Sequence, residues 1–262
     1  MSGDFAPGGD LHACAQIVEK GDAERFASVM AADVAARRVL FPIYAFNVEV
    51  ARVPWMTAEP MIAQMRLQWW ADALEEIAGG GFIRRHEVVT PLALAISAPV
   101  AERLQQVVEA RRLDIERAPF DDVGAFWTYL GDTSGALTVA AAAALGDTDG
   151  RAARSYGLAV GLAGYLRAVP ELEARGKQPL ADGRPEAVKA LADEGLAHLA
   201  EARRALKHVP KAARAAFAPA VTAGPVLRRV AQDPARVASG DLTPPEAAVR
   251  WGRLRGAFTG RW

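Results

Sequence analysis

The most regular pattern of apolar and polar positions in the sequence lies within residues 36–77. In its first half the apolar positions recur three or four residues apart, at Leu40, Ile43, Tyr44, Val48 and Ala51. This spacing places them on one face of an α-helix. A second helix is predicted after the turn at Pro54–Pro60, because Thr57 is a favourable cap and Glu59 favours a first turn. The pattern therefore predicts two consecutive helices joined by a short turn.

The second of these helices carries a broader apolar set, made up of Met61, Ile62, Met65, Trp69, Trp70, Ala73, Leu74 and Ile77. This set is wider than the single stripe of a surface helix. Arg66 falls within it, and a buried guanidinium needs a partner because an unpaired buried charge costs too much free energy. Two interpretations stay open. Arg66 is an ion-paired or snorkelling arginine, or it lines a cavity with a polar floor.

The rest of the sequence also predicts helices, and no β-type alternation of useful length is present. Gly79–Gly81 should end the second helix of the central pair, as glycine does beyond a helix terminus. Gly157, Gly161 and Gly164 lie at helical spacing, which should let a neighbouring helix approach closely. These patterns predict an all-α fold.

Charge and composition narrow the class of protein. The formal net charge is zero and the sequence pI is about 6.9, so the bulk charge does not favour a nucleic-acid partner. The single cysteine, Cys14, excludes an internal disulfide and a cysteine-based metal cluster. The longest apolar run, Ala136–Leu145, is shorter than the ~20 residues of a membrane-spanning helix. With no signal-peptide pattern, we expect one cytoplasmic domain over residues 1–262, with residues 1–9 disordered.

Common catalytic motifs are absent from the sequence, including phosphate loops, zinc-protease motifs and nucleophile elbows. Glu194 and His198 lie four residues apart, a spacing that metal sites can use, and so do Asp72 and Glu76. Both pairs lie off the apolar face of their helices, which is typical of solvated positions. We therefore expect no metal and no cofactor.

Three segments resemble the squalene/phytoene synthase family: YAFNVEVARVPW at Tyr44–Trp55, RLQWW at Arg66–Trp70 and GLAVGLAGYLRAVPELEARGK at Gly157–Lys177. Arg37 precedes the first segment as an arginine does in that family, and Phe126–Leu137 is similar to its central helix. The resemblance covers most of the chain, from about residue 11 onward. It implies an isoprenoid-synthase-like helical bundle around a central cavity, and an activity that joins two prenyl diphosphates head to head.

The carboxylates of the family are missing at the matching positions. By the register of the resemblance, its two acidic motifs fall on apolar residues here: Ala51, Trp55, Ala168 and Leu172. Acids four residues apart on a helix share one face, and Mg²⁺ is bound by one or two carboxylates together with substrate phosphates. Glu171 remains beside the second motif, but we expect Pro170 to interrupt the helix that would present it. Mg²⁺-dependent prenyl transfer by the usual mechanism is therefore not expected.

The first two segments resemble one branch of the family in particular. That branch is related to the mitochondrial complex I assembly factor, and it also lacks the paired aspartates. The resemblance implies a non-catalytic homologue, a pseudoenzyme that acts in respiratory complex I assembly or in a similar protein-interaction role. Two alternatives stay open. One is a prenyltransferase that uses unusual ligands, and the other is a metal-independent binder of isoprenoid diphosphates through Arg37, Arg38, Arg66 and Arg167.

The resemblance and the helical periodicity together assign candidate residues to the cavity: Arg37, Tyr44, Arg66, Trp69, Tyr129 and Arg167. No catalytic residue is assigned. The partner implied is a respiratory complex component or an assembly factor. An isoprenoid-like ligand is the alternative, and nucleic acid is not expected.

The C-terminal residues 243–262 predict an amphipathic helix. Thr243 and Glu246 match a capping box. The apolar face of the helix would carry Trp251, Leu254, Phe258 and Trp262. Such a helix suits peripheral contact with an anionic inner membrane or with a groove on a partner protein. Packing on its own domain is the alternative.

Overall fold

The computed structural model describes residues 5–252, apart from residues 117 and 248. Every regular element in this part of the chain is helical, so the all-α prediction is confirmed. None of these described helices is long and apolar enough to cross a membrane. The chain forms two compact units. Unit 1 comprises Met1–Glu116, Ala140–Thr148 and Pro210–Ala216, and unit 2 comprises Arg117–Val139, Asp149–Val209 and Phe217–Trp262.

Unit 1 contains the first six α-helices. These are α1 (Asp10–Gly21), α2 (Ala23–Met30), α3 (Val34–Arg52), α4 (Pro60–Gly79), α5 (Val89–Ala95) and α6 (Ala98–Glu116). A short 3-10 turn, Val53–Trp55, follows α3 directly. Among these elements α1 packs on α3, and α4 packs on α6.

The predicted central helix pair is present as α3 and α4. Asp33 caps α3, because its carboxylate accepts a hydrogen bond from the Ala36 backbone N–H at 2.8 Å. Pro60 occupies the first turn of α4. Gly80 ends α4 with a φ of 65°, a left-handed conformation that favours glycine. The glycine signal therefore ends the helix where the sequence predicts, but the predicted cap is wrong: Glu59, not Thr57, precedes the first turn, and it makes no side-chain cap hydrogen bond.

The broad apolar set of α4 is buried on one side only. Trp70 and Leu74 of this set are buried, whereas Met61 and Met65 are 71% and 67% exposed. In the amino-terminal half the buried position is Ala63, which the set did not include. At about 100° per residue, positions 61 and 65 lie on the opposite side of the helix from position 63. The interpretation of α4 as buried beyond a single stripe is therefore wrong for its amino-terminal half.

Residues 5–9, which we expected to be disordered, belong to the folded part of the chain. The ring of Phe5 packs edge to face on the buried ring of Phe41, with centroids 5.9 Å apart. The glycine, proline and aspartate content of the segment suggested disorder, but the contact of one aromatic ring with the core orders the chain. Residues 1–4 lie outside the described residues.

Unit 2 contains the remaining complete α-helices. These are α7 (Val123–Leu130), α9 (Arg151–Ala174), α10 (Pro185–Ala205), α11 (Ala223–Gln232) and α12 (Arg236–Ser239). A π-helical turn, Gly131–Gly135, follows α7, and α8 (Ala136–Ala144) is divided between the two units. Of the predicted C-terminal helix, residues 246–247 and 249–252 are helical, whereas Leu254, Phe258 and Trp262 lie outside the described residues.

Small residues let α9 pack closely on the π-helical turn. A Cβ atom on Gly157 would lie 2.6 Å from the Ser134 carbonyl oxygen, and one on Gly161 would lie 2.7 Å from Ser134 Cβ. The predicted close approach is therefore confirmed at these two positions. Gly164 has nothing within 4 Å of the corresponding point. Helical spacing alone therefore does not identify which of the three glycines make the close contact.

Pro170 does not interrupt α9, contrary to our expectation. The helix continues through it to Ala174. The proline ring removes the hydrogen bond to the Leu166 carbonyl, which in a helix interior costs about 3 kcal/mol. A distant segment packs there, because a Cβ on Gly240 would lie 3.7 Å from Pro170 Cγ, and α12 packs on α9. Packing by a segment distant in sequence thus offsets the free-energy cost of the proline. The sequence pattern does not show that packing, so it predicts an interruption that does not occur.

Candidate functional site

Two neighbouring cavities lie within unit 1. The larger has a volume of about 710 Å³ and is lined by α1, the carboxyl-terminal half of α3 and Glu87. The smaller has a volume of about 230 Å³ and lies beside the end of α3, the middle of α4 and His86. Glu49 and Arg52 line both cavities. The shared wall therefore carries a carboxylate and a guanidinium.

Glu49 and Arg52 form an ion pair at this shared wall. The Glu49 side chain is 13% exposed and that of Arg52 is 52% exposed. Burial raises the pKa of Glu49, Arg52 acts in the opposite direction, and the negative charge of Glu87 adds to the rise. The wall therefore holds a carboxyl group that is a weaker acid than in water, next to a positive charge that solvent reaches.

The larger cavity offers mixed charges rather than a cluster of acids. Lys20 and Asp22 line it, and Ala51 lines it with a methyl group where the resemblance predicts a lost carboxylate. The Asp22 carboxylate is already engaged, because it caps α2 at the Arg25 backbone N–H (2.9 Å) and pairs with the Arg25 guanidinium. Among the described residues, no group of three or more histidines, cysteines and acids is placed to hold a metal ion.

Tyr44 lies in the core of unit 1 behind this cavity wall. It is 2% exposed, and the Arg25 guanidinium lies 5.3 Å from the centroid of its ring. Burial raises the pKa of Tyr44 to about 12, although Arg25 acts in the opposite direction. Tyr44 lines neither of the two cavities. Of its two charged neighbours, Arg25 and Asp22, only Asp22 lines the larger cavity.

The structure brings Arg66 and Trp69 together at the smaller cavity. Arg66 is exposed, and its Nη1 atom lies 3.5 Å from Met56 Sδ. It is therefore not the buried guanidinium that the apolar set of α4 suggested. Trp55, at the second lost carboxylate position, ends the 3-10 turn after α3 and is partly buried. An indole offers Mg²⁺ no oxygen ligand.

A cluster of aromatic rings forms one side of the smaller cavity. The rings of Trp69 and Trp70 meet edge to face with centroids 5.0 Å apart, and His86 packs on both rings. The Arg84 guanidinium lies 4.8 Å from the Trp69 ring centroid and pairs with Glu76 at 2.6 Å. Burial lowers the pKa of His86. The wall is therefore mostly apolar, with cations beside it.

Arg37 lines neither of these two cavities. Its Nε atom donates to the Ala32 carbonyl at 2.9 Å and its Nη2 atom donates to the Met30 carbonyl at 2.6 Å. Carbonyls at a helix end lack partners within the helix. The position of Arg37 therefore fits a role in capping the carboxyl-terminal end of α2 rather than contact with a ligand.

In unit 2, Tyr129 belongs to a cluster of aromatic rings with Phe120, Phe126 and Tyr165. Lys177 is only 4% exposed, and its Nζ atom lies 5.5 Å from the Phe120 ring centroid and 5.8 Å from that of Tyr129. Ammonium groups over aromatic faces make cation–π contacts. No pattern in the sequence marks Lys177 as buried, because a lysine in a loop is usually exposed.

The second pair of lost carboxylate positions lies on α9. Ala168 and Leu172 are partly buried, and Arg167 is exposed. The remaining acid, Glu171, is 66% exposed and pairs with Arg175 at 2.5 Å. The Glu171 carboxylate is therefore held at the surface by Arg175, one helical turn later.

A family model of squalene/phytoene synthases matches residues 18–182, which is more than half of the chain. The chain belongs to the squalene/phytoene synthase family. The matched range includes all four lost carboxylate positions and all six candidate cavity residues.

Solved structures of squalene/phytoene synthase family enzymes share the fold. A dehydrosqualene synthase in complex with ligand superposes with a TM-score of 0.75 at 12% identity, covering 96% of both chains. A squalene synthase from Alicyclobacillus acidocaldarius gives a TM-score of 0.68 at 17% identity, covering 85% of this chain and 93% of that one. At these identities the likeness shows the isoprenoid-synthase fold alone.

Curated relatives of this family member carry a different description. A complex I assembly factor 6 homolog of Drosophila melanogaster is 31% identical over 166 residues, covering 60% of this chain and 50% of that protein. The human complex I assembly factor 6 is 28% identical over 178 residues, covering 64% of this chain and 52% of that protein. The chain spans about half the length of these relatives.

Proposed function

We propose that this chain is a non-catalytic member of its family that acts in the assembly of respiratory complex I. The observation that carries the proposal is the residue type at the four lost carboxylate positions, Ala51, Trp55, Ala168 and Leu172. A methyl group, an indole and an isobutyl group provide no oxygen for Mg²⁺. Without the metal, the diphosphate leaving group loses its main source of charge stabilisation.

Other acids near these positions do not replace the missing ones. Glu49 faces both cavities of unit 1, but it is paired with Arg52 and burial raises its pKa. Glu171 is exposed and paired with Arg175. A metal site needs several ionised oxygen ligands that converge on one point. The arrangement favours a retained fold with a changed role.

The names of the curated relatives support an assembly role for this chain. Both relatives are described as assembly factor 6 of complex I, and the similarity covers about half of each. A protein that assembles a complex needs a surface for its partner rather than a reaction centre. We infer that the partner is a component of complex I or another of its assembly factors.

The cavities of unit 1 give this role a site for a partner or ligand. We propose that Arg66 and Trp69 contact it at the smaller cavity, where an apolar aromatic wall lies beside solvent-accessible cations. A guanidinium next to aromatic rings suits a partner segment with an apolar body and an acidic end. An isoprenoid-like ligand with a diphosphate has the same chemistry.

Deletion of the gene in its own organism tests the proposal. We expect the membranes to lose NADH:ubiquinone oxidoreductase activity and assembled complex I on native gels, while succinate dehydrogenase activity stays unchanged. A plasmid copy of the wild-type gene should restore both readouts. A copy with Arg66→Ala and Trp69→Ala should restore them only in part, whereas the control Arg184→Ala, at an exposed position in unit 2, should restore them fully. Unchanged complex I in the deletion strain would refute the assembly role.

A further inference from the structure

The positive charges of the chain are unevenly distributed in its last third. Between Glu201 and Asp233 the sequence holds no acidic residue, although the chain as a whole has a formal net charge of zero. The same stretch carries seven arginines and lysines: Arg203, Arg204, Lys207, Lys211, Arg214, Arg228 and Arg229. An acid-free stretch of this length creates a local positive potential that the neutral total hides.

Within unit 2, the end of α10 and the start of α11 bring part of this charge together. The two helices pack on each other. A Cβ atom on Gly224, in the first turn of α11, would lie 3.7 Å from Arg203 Nη2 and 3.3 Å from Arg228 Nη1. Two guanidinium groups therefore approach the same point at the start of α11.

Arg204 and Lys207 extend this group along α10 and the turn that follows it. Both side chains belong to exposed residues, as do Arg203 and Arg228. We refer to these four residues as the basic surface. The last turn of a helix favours cations, so α10 tolerates them at this end without cost to its own stability.

An exposed tryptophan lies near the start of α11. Trp251 is 73% exposed. The next residue, Gly252, packs against the Val221 side chain, and Val221 immediately precedes Thr222, the residue before the first turn of α11. The chain therefore holds Trp251 near the same helix start that Arg203 and Arg228 approach.

We propose that the basic surface and Trp251 together bind an anionic phospholipid surface. Arginines and lysines close to such a surface are attracted to the headgroup phosphates. An indole has an apolar body and one N–H donor, which suits the boundary between headgroups and acyl chains. An acidic protein would match the same cations, and the test below includes it as the outcome that would overturn the proposal. This binding site in unit 2 is independent of the assembly role and of the unit 1 cavities.

Vesicle sedimentation tests the proposal with the full-length chain. The probe is phosphatidylcholine vesicles with and without one third phosphatidylglycerol. We expect binding to the anionic vesicles alone, weakening as salt is added because salt screens exposed charges. The variant with Arg204→Gln, Lys207→Gln and Arg228→Gln should bind on the order of 100-fold more weakly, from the usual contribution of three cations near the surface.

A matched variant removes the same charge from elsewhere in unit 2. Arg175→Gln, Arg184→Gln and Lys189→Gln also remove three exposed cations, and this protein should bind almost as the wild type does. Trp251→Ala should also weaken binding to the anionic vesicles. Because an indole carries no charge, this loss should be similar at low and at high salt concentration. Circular dichroism melting checks that each variant is folded.

Three results would overturn the proposal. One is equal binding to vesicles with and without phosphatidylglycerol. Another is equal loss of binding in the two triple variants. The third is retention on immobilised polyglutamate with no binding to either vesicle, which would assign the basic surface to an acidic protein.

Discussion

Glu49 shows how the environment of one residue sets its chemistry. It lies on α3, one turn before the end of the helix, and pairs with Arg52 while most of its side chain is buried. Burial raises its pKa, so the folded protein binds more protons at this site than the unfolded chain just above the ordinary pKa of a glutamate. The site therefore contributes less to stability as the pH rises through that window, and the deficit persists at higher pH.

The change Glu49→Gln should remove this deficit, because glutamine resembles the protonated carboxyl group. We expect the variant to have a higher free energy of unfolding than wild type at pH 7.5. This advantage should be lost below pH 4, where the Glu49 carboxyl group is protonated in both the folded and the unfolded wild-type chain. Urea unfolding at several pH values measures it. The control is Glu102→Gln, at an exposed position on α6, which should give no such trend. An advantage that grows at low pH would show that the Arg52 pair outweighs burial.

At the scale of elements, the contact between α9 and the π-helical turn depends on glycine. The change Gly157→Ala would place a methyl group 2.6 Å from a backbone carbonyl oxygen that cannot move freely. We expect a loss of about 1–3 kcal/mol in the free energy of unfolding, the usual cost of overpacking. Chemical denaturation measures it.

Gly164→Ala is the matched control on the same helix. Nothing lies within 4 Å of its Cβ position, and the glycine is exposed. Alanine favours a helix over glycine by up to about 1 kcal/mol, so this variant should be more stable than wild type. Equal effects of the two substitutions would contradict the packing explanation.

At the scale of the whole molecule, the absence of the paired acids from both units should abolish the chemistry typical of the family. We expect purified protein to yield no C30 or C40 prenyl product from farnesyl or geranylgeranyl diphosphate with Mg²⁺, because no carboxylates occupy the four motif positions. Product analysis by mass spectrometry measures it, with an active family member as the control. Formation of such a product would contradict the non-catalytic proposal.

A thermal-shift assay separates the remaining alternative. A bound ligand raises stability by about 2.7 kcal/mol at a hundred times its Kd. If the chain binds isoprenoid diphosphates through arginines alone, stabilisation by a diphosphate analogue should be unaffected by a chelator. We expect no stabilisation by the analogue, because Arg37 is bonded to helix carbonyls. Of the two arginines that line the smaller cavity, Arg52 is paired with Glu49, which leaves Arg66 as one cation against a diphosphate.

The sequence by itself determined the helical class, the central helix pair and the family. These depend on local signals: three-and-four spacing, proline in the first turn of a helix, and glycine past a helix end. It also identified the missing carboxylates, because a motif is a linear pattern.

The tertiary structure alone decided which side of α4 is buried, whether Pro170 ends α9, and how Glu49 and Lys177 are enclosed. Each depends on neighbours distant in sequence. The apolar residues Met61 and Met65 fit a buried helix by pattern, but the buried side of α4, which carries Ala63, lies about 200° away from them. Whether a residue is buried depends on the element that packs against it as well as on the residue itself. The sequence of one helix does not specify which element that is.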